Sequence, residues 1–389
     1  MLFMKEKYYV VAKTIARWKL NNPFENWLGQ KADTSECWKK IYVLYYKLFD
    51  YQYYSKGLKY IEEEMAKQRP NLQKTVNGIP LSDKFLRRDM IYSLHRFGVN
   101  FLEYYVYGFY KKNVFGRSLL NNMRIQYGYC EQVNSPFVRE LFDNKIETYN
   151  HFKIFYQRDV VAVMSLTDRD DFIGFIKKHS AFIFKPLKGV CGHGIKIYRG
   201  FNDDIDDFLS QKLANGPFIV EEIIEQAQEM AILHPESINT IRIATFKIGQ
   251  DVTIYGASLR MGVGKSVVDN AGSGGIFCHV NHSYGFVDSY GRDYLGNEYV
   301  FHPDTKVRLI GFSIPQWPEL QRLAKKAARV IDGATMIAWD WAFSKSGWVL
   351  LEANDVGGPE LIQDYEKGNK LVLHELMDKY FEYRKQSKK

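Results

Sequence analysis

Asp340, Glu352 and Asn354 are spaced so that two neighbouring strands could carry three hard oxygen donors to one point. Met336-Ile337-Ala338-Trp339-Asp340-Trp341 and Val349-Leu350-Leu351-Glu352-Ala353-Asn354 are apolar runs broken by a few acidic or amide groups. That is the pattern of short buried strands. Ser344-Lys345-Ser346-Gly347 between them is a turn signal. A three-residue loop, Lys345-Ser346-Gly347 with Gly347 left-handed, would pair Ser344 with Trp348 and set Asp340 opposite Glu352. Glu352 and Asn354 are two apart and share one face of their strand. Such a set suits Mg²⁺, which takes few protein ligands and leaves room for phosphate oxygens. A buried Asp opposite a buried Glu is costly without a cation between them.

A second group could hold the phosphates. Phe184-Lys185-Pro186-Leu187-Lys188-Gly189-Val190-Cys191-Gly192-His193-Gly194-Ile195 starts at the end of a strand. Gly189, Gly192 and Gly194 let the backbone bend tightly and turn its N–H groups onto an anion. Lys185 and Lys188 add positive charge. A strand follows, so this is a hairpin flap, distinct from the strand-to-helix phosphate turns of P-loop and Rossmann sites. A plain surface hairpin is the alternative. Phe218-Ile219-Val220-Glu221-Glu222 is an apolar strand ending in two acids. It could line a nucleotide cleft, or simply run into solvent. Arg242 and Arg260 fall on the two strands of one hairpin, and Arg pairs bidentately with carboxylate or phosphate. Either could instead make a structural salt bridge.

In order, these features are a strand lysine, a glycine flap, a strand ending Glu-Glu, two arginine strands, and Asp…Glu-x-Asn. That run resembles the ATP-grasp superfamily. More narrowly it is similar to the sugar-transfer-associated ATP-grasp family of bacterial polysaccharide loci. The residues behind the narrower likeness are His234-Pro235-Glu236-Ser237-Ile238-Asn239-Thr240-Ile241-Arg242-Ile243, Asp269-Asn270-Ala271-Gly272-Ser273-Gly274-Gly275, His302-Pro303, Trp339-Asp340 and Leu351-Glu352-Ala353-Asn354. The likeness covers about residues 119–389. It implies an α+β ATP-grasp fold, two α+β lobes clasping nucleotide, after a mostly helical N-terminal region at 1–118. The lobes would be 119–180, the glycine flap at 181–222, and a metal and substrate lobe at 223–389.

The resemblance also implies roles. Lys185 and Lys145 would hold ATP phosphate, and Gly189, Gly192 and Gly194 would close over it. Glu221 and Glu222 would meet adenine and ribose, while Asp340, Glu352 and Asn354 hold Mg²⁺. Arg242 and Arg260 would bind the γ-phosphate or an acyl phosphate, and the Asn270–Gly274 loop would offer backbone N–H groups to an oxyanion. The implied activity is a carboxylate–amine ligase using ATP and Mg²⁺. Its partners would be a carboxylate-bearing glycan or small molecule and an amine donor such as an amino acid. A kinase acting on a hydroxyl, and a nucleotide-binding module without catalysis, are the rival readings. His279, His282 and His302 could each serve as a base or as a structural group. Cys191, within the flap, stands where a smaller residue is more usual in the family.

These groups need elements to position them. The chain has 389 residues, 46% hydrophobic and 25% charged, enough for two or three domains. Apolar spacing predicts helices over 39–60, 84–112, 145–156, 168–179, 318–332 and 371–383. Strands are expected at 160–164, 181–185, 195–198 and 218–222, and a hairpin at 240–248 and 252–261. The Gly-, Asn- and Ser-rich stretch 262–300 reads as irregular and functional.

Charge is uneven. Residues 1–118 hold 21 Lys and Arg against 11 Asp and Glu, with 14 of the 27 tyrosines. This aromatic, basic unit is either an ordinary helical domain or a body that lies on an anionic membrane surface. Nucleic acid is not expected, since no recognised motif accompanies the charge. No apolar run is long enough to span a bilayer, no signal-peptide pattern opens the chain, and the four cysteines form no Cys-x-x-Cys pair. The expected location is the cytoplasm, or the inner face of the membrane.

Overall fold

The computed structural model describes residues 23–68, 75–76, 79–187 and 194–387. The chain divides into two compact units, and the division is not sequential. One comprises residues up to Gly128 with Arg292–Asn297 and Gln363–Leu371; the other holds the remainder.

The first unit is helical, as composition suggests. Its main helices are α1 (Pro23–Thr34), α2 (Glu36–Phe49), α3 (Tyr51–Gln68) and α4 (Asp83–Phe97). The two long helices expected here are each broken. The first breaks at Asp50, the C-cap of α2. The second ends at Gly98, whose φ of 77° closes the last turn, and Asn100 with Glu103 then forms a capping box for a new short helix. Both caps are local signals that outweigh the apolar spacing running through them. Tyr42, Tyr46, Tyr92, Tyr104, Tyr105 and Tyr107 are buried, so many of the tyrosines are core. Asp89 is buried with them, bound bidentately by Arg117 at 2.9 and 2.7 Å and by the Tyr104 hydroxyl at 2.7 Å.

The second unit contains α5 (Lys145–Tyr156), α6 (Arg169–Lys178), α7 (Ile205–Leu213) and α8 (Trp317–Ala327). It also contains two antiparallel sheets. The smaller joins β1 (Val160–Val163), β2 (Ala181–Pro186), β3 (Lys196–Arg199) and β4 (Phe218–Glu222) in the order β1-β4-β2-β3. The strand expected in the leading lobe, β1, therefore shares a sheet with the flap strands. An aromatic core of Phe172, Phe182, Phe208 and Phe218 packs α6 and α7 on this sheet.

The five long strands of the larger sheet are β5 (Thr240–Ile248), β6 (Asp251–Met261), β7 (Ile276–Asn281), β8 (Met336–Ser344) and β9 (Gly347–Asn354), in the order β7-β6-β5-β8-β9. The 262–300 stretch thus contributes a strand, β7, that its composition hides. One face of β8 is apolar: Trp339 meets Phe152 of α5 at 5.2 Å, and Trp341 meets Phe155 at 6.0 Å. Period-2 alternation then obliges Asp340 to point to the other face.

The β8–β9 turn departs from expectation. Ser344 pairs with Gly347, so the loop has two residues, Lys345 and Ser346. That change alone would put Asp340 opposite Leu351. A bulge between Asp340 and Trp341 shifts the register back, and Asp340 does face Glu352.

Candidate active site

One row crosses the larger sheet. Glu352 pairs with Asp340, Asp340 with Arg242, Arg242 with Ser258, and Ser258 with His279. Five strands thus align a polar line on one face. At its centre the buried Asp340 carboxylate accepts Arg242 Nε and Nη2 at 2.7 Å each, and Arg260 Nη1 at 2.7 Å. Asn354 Nδ2 lies at 3.5 Å from the same carboxylate. Burial raises the Asp340 carboxyl, but the two guanidinium groups outweigh it and hold it below the usual range.

Arg242 is fixed further by the Gly357 carbonyl at 3.0 Å. Gly357 has φ +79°, and a Cβ there would stand 2.4 Å from the Ala338 Cβ, so only glycine brings that carbonyl in. Arg260 also reaches Asp269 at 3.3 Å, whose other oxygen takes the Thr240 hydroxyl. The Arg260 Nε is buried with no hydrogen-bond partner among the described residues. Asp269 belongs to the quoted motif, but sequence reasoning gave it no role.

Glu352 behaves in the opposite way. Among the described residues it makes no hydrogen bond or ion pair. Desolvation by dense surroundings raises its carboxyl, and Asp340 adds like-charge repulsion. The side chain is nevertheless exposed, so solvent damps both effects. Arg242, Lys145 and Lys185 lie close enough to lower it in part. A carboxylate forced against another carboxylate, with Asn354 beside both, is a donor set that fits Mg²⁺. Asp340 would share its oxygens between that cation and the two arginines.

The lysines come from different elements. Asn144 caps α5 by accepting Ile146 N at 3.1 Å and Glu147 N at 3.3 Å, which fixes Lys145 in the first turn. Its ammonium reaches the Leu187 carbonyl at 3.2 Å. Desolvation lowers the Lys145 ammonium, with Glu352 opposing that and Lys185 reinforcing it. Lys185, on β2, pairs with Glu221 on β4 at 2.7 Å. Arg158 grips the other Glu221 oxygen from Nη2 at 2.7 Å and Nε at 3.0 Å. Arg158 also donates to the Leu350 carbonyl at 2.7 Å and stacks on Tyr156 at 4.4 Å. No sequence signal distinguishes Arg158, whose role arises only because β1 and β4 pair.

Glu221 is therefore buried and doubly paired, not carried into solvent by its strand. Glu222, its neighbour, accepts the Asp159 amide at 3.1 Å. Burial raises the Glu221 carboxyl, but Lys185 and Arg158 overcome this and bring it down to about 2. A depressed carboxyl stabilises the fold fully above its ordinary value of 4.5 and loses that contribution as pH falls toward 2. We expect an acid-induced loss of stability across that window, read by circular dichroism. Glu221→Gln should lack this component; an unchanged acid profile would show that Glu221 is not the group responsible.

The Asn270–Gly274 loop is held by its own backbone. The Asn270 carboxamide caps a short turn by accepting Gly272 N at 2.9 Å. Ser273 N and Gly275 N bond the Asn270 carbonyl at 2.9 and 3.1 Å, and Gly274 N bonds the Ala271 carbonyl at 3.2 Å. These four amides serve the loop's own turn in this conformation. Gly275 is required for packing: a Cβ there would meet the carbonyl oxygens of Asp269, Met261 and Asn270 at 2.7, 2.8 and 3.0 Å. Asn239 is also structural, its amide donating to the Met230 and His234 carbonyls at 2.9 and 3.0 Å.

His302 contacts the Gly262 carbonyl at 2.9 Å, and His234 contacts Ser237 and the Gly264 carbonyl at 2.9 and 3.0 Å. Both tie down the strand exit after β6. His282 is held low by burial first and His279 second. His279 meets Asp288 at 2.6 Å, an arrangement that orients a ring. Gly194, with φ +80°, lies at the far edge of the flap. Lys188, Gly189, Cys191 and Gly192 lie outside the described residues. Cys130 and Cys278 are buried thiols, and Cys37 is exposed.

No curated protein matches the chain. Among solved structures, D-alanyl-alanine synthetase A of Vibrio cholerae is similar with a TM-score of 0.40 at 11% identity, over 64% of this chain and 67% of that one. D-alanine–D-alanine ligase of Helicobacter pylori gives 0.35 at 16%, over 61% and 58%. N5-carboxyaminoimidazole ribonucleotide synthetase of Thermotoga maritima gives 0.33 at 12%, over 59% and 47%. The chain spans less than two thirds of the latter two proteins, and likenesses this remote carry no argument about chemistry. The sugar-transfer associated ATP-grasp family matches residues 124–371, well over half of the chain. ATP-grasp enzymes use ATP with Mg²⁺, and the lysines, arginines and acids described above suit that cofactor pair. The chain belongs to the sugar-transfer-associated ATP-grasp family.

Proposed function

We infer that the protein is a Mg-ATP-dependent carboxylate–amine ligase, forming an amide through an acyl phosphate on a cell-surface polysaccharide or its precursor. The supporting observation is Arg260. Its guanidinium is buried and paired with Asp340 and Asp269, yet its Nε has no hydrogen-bond partner among the described residues, a spare donor that a phosphate or carboxylate oxygen would satisfy. Residues 119–389 would form the catalytic region.

Lys145 and Lys185 would bind ATP phosphates, with Gly189, Gly192 and Gly194 closing over them and Glu221 and Glu222 near adenine and ribose. Binding nucleotide would oblige Lys185 to share its charge between Glu221 and phosphate, while Arg158 keeps Glu221 in place. Asp340, Glu352 and Asn354 would hold Mg²⁺, which neutralises phosphate charge and orients it for transfer. Arg242 and Arg260 would clamp the acceptor carboxylate and the transferred phosphoryl group. The carboxylate oxygen attacks the γ-phosphorus and ADP leaves. The amine nitrogen then attacks the acyl carbon, inorganic phosphate leaves, and the amine gives up a proton. The basic N-terminal unit would bring the enzyme to an anionic membrane at the cytoplasmic face, where lipid-linked sugars are held.

Phosphate release from Mg-ATP, screened over acidic sugars with and without amino acids, tests this. Release is expected only when carboxylate and amine are both present. ADP formed without amine, together with a stable phosphorylated product, would replace the ligase by a kinase. A thermal melting curve unmoved by Mg-ATP would point to a chain without catalysis.

A further inference from the structure

The helical unit carries an outward apolar face that its own core does not use. Tyr42 and Tyr46 of α2 point inward and are buried, with Tyr42 edge-on to Tyr92 of α4 at 5.9 Å. On the opposite arc Ile41, Leu44 and Leu48, at helical spacing, are 42, 50 and 63% exposed. Phe49 at the end of α2 is 74% exposed, and Phe24 and Trp27 of α1 continue the surface. Between the helices runs a groove lined wholly by apolar and aromatic side chains. An apolar face of this extent marks an interaction surface.

Charge identifies what it meets. Lys40 and Lys47 are seven residues apart on α2 and flank one side of the apolar arc; Lys31 stands in the last turn of α1. All three are exposed, and none makes an ion pair among the described residues. An apolar, tryptophan-bearing face rimmed by lysines is the pattern of a body lying in a lipid interface with its cations at anionic headgroups. A second copy would set cationic rim against cationic rim. Residues 1–22 would do the same, since they carry five Lys and Arg against one Glu.

We propose that the outward face of α1 and α2, built on Trp27, Ile41, Leu44 and Leu48 and rimmed by Lys31, Lys40 and Lys47, docks the full-length protein on an anionic lipid surface. This deepens the membrane part of the proposed function and does not depend on which bond the enzyme forms. No helix among the described residues is long and apolar enough to cross a membrane. Attachment through this face is peripheral.

Flotation of the full chain with vesicles of phosphatidylcholine, alone or mixed with phosphatidylglycerol, tests the proposal. The wild type is expected to float with the mixed vesicles, not with neutral ones, and to be released by salt. Ile41→Glu/Leu44→Glu/Leu48→Glu and, separately, Lys40→Glu/Lys47→Glu should each lower partition at least about tenfold. All three side chains of the triple variant are exposed, so thermal unfolding and ATP turnover in solution should be unchanged. ATP turnover is also the readout that separates failure here from failure of the ligase reading. A wild type that stays with the pellet overturns the proposal, as does a triple variant that floats like the wild type. So does a dimer in sedimentation that the triple variant breaks, or flotation lost on deleting residues 1–22 but kept by the triple variant.

Discussion

Glu352→Gln is expected to remove ATP turnover while making the ligand-free protein more stable. Both effects come from one property. Glu352 is a carboxylate in dense surroundings, facing the Asp340 carboxylate, with no hydrogen-bond partner among the described residues. If Mg²⁺ belongs there, losing the charge forfeits several kcal/mol of stabilisation for the transferring phosphoryl group. The rate should fall by about a thousandfold or more. Without ligand the same charge is a liability. A carboxyl raised above its ordinary 4.5 binds more protons folded than unfolded, so wild-type stability falls as pH rises through the raised value. The variant should therefore melt slightly higher than wild type at pH ~8, since solvent at this exposed side chain damps the repulsion, and level with it at pH ~4. Mg-ATP should stabilise the wild type and leave the variant unmoved. Normal turnover in the folded variant would remove Glu352 from the metal site; equal melting at both pH values would remove the repulsion.

Asp340→Ala is expected to do something different: unfold the protein more easily. The sequence suggests that Asp340 could be truncated with the fold intact, because a metal ligand is structurally dispensable. The tertiary structure gives it a second role. Its two oxygens neutralise Arg242 and Arg260, both buried. Truncation leaves Arg242 without a carboxylate and Arg260 with Asp269 alone, a cost of about 3–5 kcal/mol. Chemical denaturation should show the loss as a lower midpoint at unchanged slope. Neutralising one arginine as well, in Asp340→Leu/Arg260→Met, should recover part of it, because an apolar pair replaces the broken ion pair. An Asp340→Ala protein as stable as wild type would show that the pairs carry no net weight. Loss of turnover in Asp340→Ala alone says little about metal, so Glu352 is the better probe.

Much of the second unit was legible locally. α5 and β4 run over the expected residues 145–156 and 218–222, and β5 over 240–248. Their signals are periodic and close in sequence, and the Asn144 cap and the Val/Ile-rich runs agree with them. The first unit was less legible, since two caps inside apolar stretches broke helices that spacing alone would have joined. The pairing of Asp340 with Glu352 was reached by a loop of the wrong length, and a bulge restored it. A bulge leaves the composition of a strand unchanged, so spacing cannot reveal it.

The sequence by itself determined which chemical groups the protein owns. It also placed Asp340, Glu352 and Asn354 within one hairpin, because two strands joined by a short turn pair with each other, although a bulge set the final register. Only the tertiary structure decided the charge state and occupation of those groups. Arg242 reaches Asp340 across 98 residues, and Arg158 reaches Glu221 across 63. It likewise turned the amides of the Asn270–Gly274 loop inward and left Glu352 opposed by its own neighbour. The reason is physical. Periodicity fixes the face on which a side chain stands, whereas desolvation and charge pairing depend on what distant strands bring to that face.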